Sequence, residues 1–539
     1  MKHRGRGKSE APAAPAPELP SQEHADVQSE RRRAALLADR HGIPLVDLST
    51  ATPEPEATAL IDEGTARALT ALPLAMREGA VIVVLADPAV GTQVEEALGR
   101  PVRLVLGAAP DIVRAIGNTF RALAGIDESV KLFQARGTAP APDELVVNED
   151  APVVQVVQLV ITQGLRDRAS DIHIEPHDDR VRVRFRVDGV LRDQLDLPGA
   201  IGPAVASRIK VLADLNIIER RRSQDGQIRM RVEGREVDIR VSTAAVVGGE
   251  KVVLRLLDKS RPLFRLEQLG MPPELAERYA ALLRTPYGMV ICAGPTGSGK
   301  TTTLYGSLGE IDSPERNIMT IEDPVEYSYA SINQIQINEA AGITFATGLR
   351  SILRQDPDVI LVGEIRDVET ARMAVQSALT GHLVLSSVHA TDTATALHRL
   401  LDMGIENFLV ASSVSAVISQ RLIRKVCENC REYYDPPATE RAFLGSAGAE
   451  VPAGGLVRGA GCNFCARTGY LERTGVYELM PVSDSVRELV VDRAPLAEIR
   501  KVACYEGMRT LQEEGARLAQ AGVTTVAEVV RSIYTVGMR

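Results

Sequence analysis

The sequence predicts a multidomain α/β protein whose largest domain is built on a mostly parallel sheet. The chain has 539 residues, too many for a single hydrophobic core. Its composition, 45% hydrophobic and 25% charged, is that of globular proteins. The C-terminal half alternates apolar runs such as VILVG and HLVLSSV with helical stretches, as a parallel sheet requires.

Changes in composition and periodicity divide the chain. The predicted parts are a disordered tail at 1–30, a small α/β domain at 31–125, a linker at 126–150, an α+β domain at 151–265, a linker at 266–285 and the sheet domain at 286–539. The tail is rich in Pro, Ala and charge and cannot bury a core. The first linker shows little apolar periodicity.

The elements within these domains follow from local patterns. In the small domain we predict a helix ending near Gly42 and buried strands at 80–89 and 102–107. The α+β domain begins with an amphipathic helical stretch. Its segments 182–191 and 224–242 alternate charged and apolar residues, the first turning at Asp188-Gly189, which predicts an antiparallel sheet.

Charge and hydropathy exclude some classes of protein. The net charge of −9 argues against a protein whose main task is to coat nucleic acid. We find no run of about 18 apolar residues and no apolar signal segment. The sequence therefore predicts a cytoplasmic protein in which any membrane contact comes through a partner.

The segment GPTGSGKT, residues 294–301, follows the apolar strand MVICAG and precedes a helical stretch. Its glycines let backbone amides wrap a phosphate at a helix N-terminus. Lys300 is expected to reach the β- and γ-phosphates, and the Thr301 hydroxyl to bind Mg²⁺. The predicted nucleotide contacts are Gly294, Pro295, Thr296, Gly297, Ser298, Gly299, Lys300, Thr301, Thr302 and Glu322.

Two acidic segments lie downstream. An apolar strand ends at Glu364, which can hold Mg²⁺ or a water molecule at the carboxyl edge of the sheet. A core strand with a capping acid is the alternative. Glu322, Asp323 and Glu326 surround a proline and could polarise an attacking water, although such a cluster is often a solvated turn.

His382 and His389 flank the next apolar strand. A lone histidine there is usually structural, but a pair could sense the γ-phosphate.

Four cysteines form two Cys-x-x-Cys pairs, Cys427 with Cys430 and Cys462 with Cys465, separated by 31 residues in an insert at 424–475. Four thiolates saturate a tetrahedral Zn²⁺, which predicts a structural site. Redox chemistry is the alternative. We expect Cys292 and Cys504 to be packing residues.

Together, GPTGSGKT, IEDPVEY, LRQDPDVILVGEIRD and LTGHLVLSSVH resemble the Walker A, Asp box, Walker B and His box of the secretion ATPases. Outside them, ASDIHIEP, RFRVDGVL and QDGQI narrow the resemblance to the type II secretion and type IV pilus assembly ATPases.

The resemblance implies roles for individual residues. Glu326 would orient the attacking water, and Glu364 would be the acid associated with Mg²⁺. His382 and His389 match the His box. Arg186, and also Arg208, resemble arginines that approach the phosphates from the preceding domain.

For the whole chain, the resemblance implies a RecA-like P-loop ATPase core preceded by a PAS-like domain. It also implies a hexamer that uses ATP, Mg²⁺ and structural Zn²⁺ to drive pilus or pseudopilus assembly. Expected partners are an inner-membrane platform protein and a docking partner for the N-terminal domain. The tetracysteine insert favours assembly over retraction. The absence of paired RLGxxL-type repeats in 31–125 argues against cyclic di-GMP.

Two other functions stay open at this point. One is a DNA-handling motor of the same superfamily, against which stand the acidic charge and the 4% aromatic content. The other is an adaptor that binds nucleotide without hydrolysing it, against which stand Glu322, Glu326 and Glu364.

Overall fold

The computed structural model describes residues 22–120, 126–136, 151–258 and 265–533. The chain divides into two compact units between Thr119 and Phe120. Of the helices within the described ranges, none is both long and apolar enough to cross a bilayer.

The first unit is an α/β domain around a three-stranded sheet. Its elements are α1 (Gln22–His41), α2 (Pro55–Thr58), α3 (Glu63–Leu69), β1 (Ala71–Arg77), β2 (Ala80–Leu85), α4 (Gly91–Leu98), β3 (Val102–Leu106) and α5 (Ala109–Thr119). Strand β2 lies in the centre, antiparallel to β1 and parallel to β3. Both predicted strands are therefore present, and β1 adds a third.

The predicted disordered tail extends too far along the chain. Residues 1–21 lie outside the described residues, but α1 already begins at Gln22. Ala34 and Ala38 on one side of this helix are buried. Arg31 donates two hydrogen bonds to the carboxylate of Asp111, at 2.7 and 2.9 Å. Packing of residues 31–38 stabilises the helix, and the helix-forming residues that precede Arg31 continue it toward the N-terminus.

The second unit opens with a six-stranded antiparallel sheet backed by helices. Its elements are α6 (Ile126–Arg136), α7 (Pro152–Arg166), β4 (Asp171–Pro176), β5 (Arg180–Val187), β6 (Val190–Pro198), α8 (Gly202–Leu212), β7 (Gln224–Val232), β8 (Arg235–Val246) and β9 (Gly249–Asp258). The strand order is β6-β5-β4-β9-β8-β7. The turn at Asp188-Gly189 has positive φ at both residues, 50° and 80°, as a two-residue hairpin requires.

The predicted linker at 126–150 contains this unit's first helix. Val130 is buried in the domain's core, Phe133 packs against that core, and Ser129 bonds Gln155 of α7 at 3.1 Å. The prediction is wrong for 126–136, because buried side chains dock a short helix that shows little periodicity. Residues 137–150 lie outside the described residues.

The largest sheet has seven strands. Its strands are β10 (Gly288–Ala293), β11 (Ile318–Glu322), β12 (Asn333–Gln336), β13 (Val359–Val362), β14 (Leu383–Val388), β15 (Val414–Val426) and β18 (Tyr470–Pro481). Six run parallel in the order β12-β11-β13-β14-β10-β15, and β18 is an antiparallel edge. This arrangement confirms the predicted fold class.

Helices cover both faces of this sheet. They are α9 (Pro273–Leu283), α10 (Lys300–Ile311), α11 (Phe345–Ile352), α12 (Val368–Leu379), α13 (Thr393–Asp402) and α14 (Asn407–Ser413). Helix α9 occupies the predicted linker at 266–285. It is part of the domain because Tyr279 is fully buried and its hydroxyl lies 2.9 Å from that of Ser307.

Strands β15 and β18 form a long antiparallel ribbon, paired from Ala416–Pro481 to Val426–Tyr470. The cysteine-bearing insert lies between them in sequence and contains β16 (Arg431–Tyr434), α15 (Ala438–Ser446) and β17 (Leu456–Gly459). The chain then continues through α16 (Asp484–Val491), α17 (Leu496–Tyr505), α18 (Leu511–Gln520) and α19 (Val526–Ile533).

Candidate functional site

The predicted phosphate loop lies where the sequence places it, between the buried strand β10 and the first turn of α10. Gly297 and Gly299 have φ of 75° and 87°, the left-handed region that favours glycine. A Cβ at Gly294 would lie 2.4 Å from the Ser298 hydroxyl oxygen, so only glycine fits there. Pro295, Thr296 and Gly297 are exposed, and the loop is open on that side.

The side chain of Lys300 folds back over the loop. Its ammonium donates to the carbonyls of Gly294 and Pro295, both at 3.0 Å. Burial lowers the pKa of Lys300, and the nearby Glu364 opposes that change. The neighbouring Thr301 and Thr302 are half-buried in the first turn of α10. The amine is therefore already at the mouth of the loop, where it can exchange carbonyl partners for phosphate oxygens.

Glu364 and His389 lie at the same edge of the sheet as the loop. Strands β10, β13 and β14 are parallel, so their carboxyl ends coincide. Glu364 follows β13 and pairs with Arg366 at 2.5 Å, and its other carboxylate oxygen lies 3.5 Å from Nε2 of His389. The predicted acid and one predicted histidine are thus brought together.

His382 lies at the opposite edge of the sheet. It precedes β14, its carbonyl accepts from the amide of Gly288 at the start of β10, and its Nδ1 lies 3.0 Å from the Ser377 carbonyl. A strand of six residues separates it from His389, about 20 Å. The structure therefore separates the two predicted histidines. The role of His382 at the nucleotide site stays a prediction, and in this structure His382 contacts the end of α12.

Glu322 is engaged in the core behind the loop. It is 3% exposed and accepts hydrogen bonds from the hydroxyls of Tyr305 and Thr320, the second at 2.5 Å. The Gln334 amide adds a third bond at 3.2 Å. Both carboxylate oxygens are therefore satisfied by the protein, and the predicted contact of Glu322 with nucleotide stays a prediction that these bonds do not support. Its role here is to fasten α10 to β11.

Glu326, in contrast, faces the preceding domain. Burial raises its pKa, Arg240 and Arg255 counter the rise, and Glu322 adds to it. Burial also lowers the pKa of Arg240, against the attraction of Glu326 and Asp323. A half-buried acid of the sheet domain therefore lies within electrostatic range of two arginines of the antiparallel sheet.

The two arginines belong to a row across that sheet. Arg186, Asp171, Arg255 and Arg240 are direct cross-strand neighbours on β5, β4, β9 and β8. Asp171 pairs with Arg255 at 3.0 Å and with Arg186 at 3.4 Å. Arg186 thus lies in the row but is held by Asp171, and two strands separate its strand from that of Arg240.

Arg208 is not part of this row. Its helix α8 packs on the apolar face of the sheet, where Ile209 joins a core that includes Ile172 and Leu254. Those residues alternate with the arginine row, which therefore stands on the other face. Arg208 and Arg186 therefore lie on opposite faces of this sheet, and the role of Arg208 at the nucleotide site stays a prediction.

Sequence reasoning missed Arg240 and Arg255. The segment VDIRVS carried the right alternation for a strand, and Arg240 could have been assigned to a face from it. Which residues it would stand beside depends on the pairing of β8 with β9, which the local pattern does not contain.

The four predicted zinc ligands converge in the insert. The sulfur atoms of Cys427, Cys430, Cys462 and Cys465 all lie within 4.8 Å of one another. Three of the sulfur pairs are 3.8 to 3.9 Å apart. Tetrahedral zinc with Zn–S distances of about 2.3 Å requires sulfur pairs about 3.8 Å apart. The cluster fits a structural zinc ion with no open position.

Family models match almost all of the described chain. One described as a type II/IV secretion system protein matches residues 146–531, and one described as an MshEN domain matches residues 41–125.

Individual relatives agree with these matches. Type II secretion system protein E of Xanthomonas campestris pv. campestris is 41% identical over 93% of this chain and 90% of its own length. The type IV pilus assembly ATPase PilB of Myxococcus xanthus is 38% identical over 93% of this chain and 91% of its own. The ATPase DotB of Legionella pneumophila is similar in structure, with a TM-score of 0.53 and 20% identity over 69% of this chain and 94% of that chain. This structural similarity concerns the fold alone.

Proposed function

Because this chain belongs to the type II/IV secretion system protein family, we propose that it is a Mg²⁺-dependent ATPase that drives the assembly of a type IV pilus or of a type II secretion pseudopilus. One observation carries the proposal. The phosphate loop, Glu364 and His389 lie at one edge of the large sheet, and Glu326 faces Arg240 and Arg255 of the preceding domain. That arrangement offers groups for binding, for activating water and for stabilising charge.

The chemistry follows from these positions. ATP places its phosphates on the amides of 297–301, and Lys300 leaves the carbonyls of Gly294 and Pro295 for the β- and γ-phosphates. Ionised Glu326 accepts the proton of the attacking water. Arg240 and Arg255 stabilise the negative charge on the transferring phosphoryl group.

Thr301 and Glu364 supply hydroxyl and carboxylate oxygens, the ligands that Mg²⁺ prefers, and are the residues that would hold it. The ion, when bound, neutralises charge on the phosphates.

The positions of the charged groups couple ATP hydrolysis to domain movement. The arginines and the phosphate loop belong to different domains of the second unit, so the two domains close around ATP and open after phosphate leaves. In a hexamer, such closure would proceed around the ring and act on a platform protein in the inner membrane. The relatives named for pilus assembly and for type II secretion support this role.

Steady-state phosphate release tests the proposal. Lys300→Ala should abolish nucleotide binding and turnover. Glu326→Gln should keep binding and lower kcat by about 100-fold or more. Glu267→Gln, a change of the same kind at an exposed acid before α9, is the matched control and should keep wild-type turnover. Unimpaired turnover in both of the first two variants would refute the mechanism.

A further inference from the structure

The ribbon strand β15 places one polar side chain directly behind the phosphate loop. Gln420 is 1% exposed, and its Nε2 donates to the backbone carbonyl of Ser298 at 2.7 Å. The packing is close, because a Cβ at Gly299 would lie 3.1 Å from the same Nε2. Gln420 therefore fills the buried side of the loop, opposite its open side.

This hydrogen bond fixes the orientation of a peptide plane. A trans peptide is planar, so its carbonyl and its N–H point in opposite directions. While the Ser298 carbonyl points inward to Gln420, the N–H of Gly299 must point outward to the open side of the loop. Glycine at 299 allows the plane to rotate freely. Rotation would turn a carbonyl, instead of an amide, toward a bound phosphate.

The amide of Gln420 is itself oriented by its neighbour on β10. The thiol of Cys292 donates to Oε1 of Gln420 at 3.4 Å, which leaves the NH₂ group facing Ser298. Burial raises the pKa of Cys292 to about 12, so the sulfur keeps the proton that it donates. Cys292 thus donates to Gln420, and Gln420 donates to the Ser298 carbonyl, so the direction of both hydrogen bonds is fixed.

We infer that Gln420 is a positioning residue for nucleotide binding, which holds the Ser298–Gly299 peptide so that its N–H faces the phosphates. The inference rests on the proposed ATP-binding role of the loop. It adds a part of the site that comes from the middle of β15 and lies far in sequence from the loop. The same ribbon carries the cysteine cluster at one end.

Calorimetric titration of the full-length protein with MgADP and with Mg²⁺ and a non-hydrolysable ATP analogue tests the inference. Gln420→Met keeps the side chain's length and removes the donor, and should raise the Kd of both nucleotides about tenfold. The same change at Gln163, a second glutamine that is 1% exposed and bonds Asp167 directly after α7, should leave both Kd values unchanged.

Gln420→Glu gives a second measurement, the pH dependence of nucleotide binding, which would not change if Gln420 had a purely structural role. An ionised carboxylate cannot donate to the Ser298 carbonyl, but a protonated one can. The ratio of its Kd to that of the wild type should fall as the pH is lowered from about 8 to about 6, because burial favours the protonated form. Thermal melting shows whether each variant is folded.

A folded Gln420→Met protein with wild-type Kd values would overturn the inference, and so would a Gln420→Glu ratio that does not depend on pH. A wild-type protein that binds neither nucleotide would overturn the proposed function and this inference with it. Wild-type binding with unaffected variants would overturn the inference alone.

Discussion

Among single residues, Glu326 sets the pH range in which the proposed hydrolysis operates. Burial raises its pKa, and the positive charge of Arg240 makes the largest contribution that opposes this rise. A general base must be ionised, so turnover falls as the pH drops through this raised pKa. The positive charge of Arg240 therefore extends activity toward lower pH, in addition to any contact that it makes with phosphate.

Removing that charge should move the acidic limb of the pH profile. Arg240→Gln removes the charge that most strongly opposes the raised pKa of Glu326, so the half-maximal kcat should occur at higher pH than in the wild type. The measurement is kcat at saturating ATP across the pH range. Arg184→Gln, on the same face of the sheet but paired with Glu175 at 2.7 Å, should leave the limb in place. A limb that stays fixed or moves to lower pH in Arg240→Gln would contradict this assignment.

The sequence alone was sufficient to predict the position of residues that depend on their neighbours along the chain. The loop at 294–301, Glu364 and His389 each follow a recognisable strand, and parallel strands end at one edge. It was insufficient for Arg240 and Gln420, because they reach the site through pairing between distant strands. For Glu322, the motif does not contain the hydrogen bonds from Tyr305 and Thr320 that occupy its carboxylate in the structure.

At the scale of elements, the β15–β18 ribbon connects two sites. The middle of β15 supplies Gln420 to the phosphate loop, and the end of the strand leads to the four cysteines, since Cys427 directly follows β15. Helix α19 is fastened to the same ribbon by Arg424, which pairs with the buried Glu528 at 2.7 Å. The pairing with Arg531 and Arg424 holds the pKa of Glu528 at about 2 despite its burial. The ribbon is therefore anchored by charge as well as by strand pairing.

Loss of zinc should destabilise this ribbon. Cys462→Ser leaves three ligands for a tetrahedral ion, and metal bound only by the folded state stabilises that state. We expect less than one zinc per chain by elemental analysis and a Tm lower by at least about 5 °C. Cys504→Ser, at a half-buried cysteine outside the cluster, should change neither value. Full zinc content and an unchanged Tm in Cys462→Ser would exclude the site.

Secondary structure was predicted correctly where the residues of a turn specify its backbone conformation. Asp188-Gly189 specified a hairpin because two adjacent residues must adopt positive φ. The prediction failed at α6 and α9, both assigned to linkers. These short helices depend on tertiary contacts such as the buried ring of Tyr279, and propensity along the chain does not report such contacts.

For the whole molecule, the site and the proposed motion belong to one compact unit. Every residue that we place at the nucleotide site lies between Asp171 and Gln420, within the unit that begins at Phe120. That unit has its own buried cores, in the antiparallel sheet and on both faces of the seven-stranded sheet. The first unit has a separate sheet and contributes none of the groups to which we assign binding or hydrolysis.

A chain that begins at Phe120 should therefore hydrolyse ATP with a kcat/KM within about twofold of the full-length protein, because no residue that stabilises the transition state is removed. Phe120 is retained because its carbonyl accepts from Arg166 at 3.0 Å. Pilus assembly or secretion in cells should be lost, since the first unit is the proposed docking domain. The same truncation carrying Lys300→Ala gives the background rate. Loss of turnover in a truncated protein that melts cooperatively would show that the first unit takes part in catalysis.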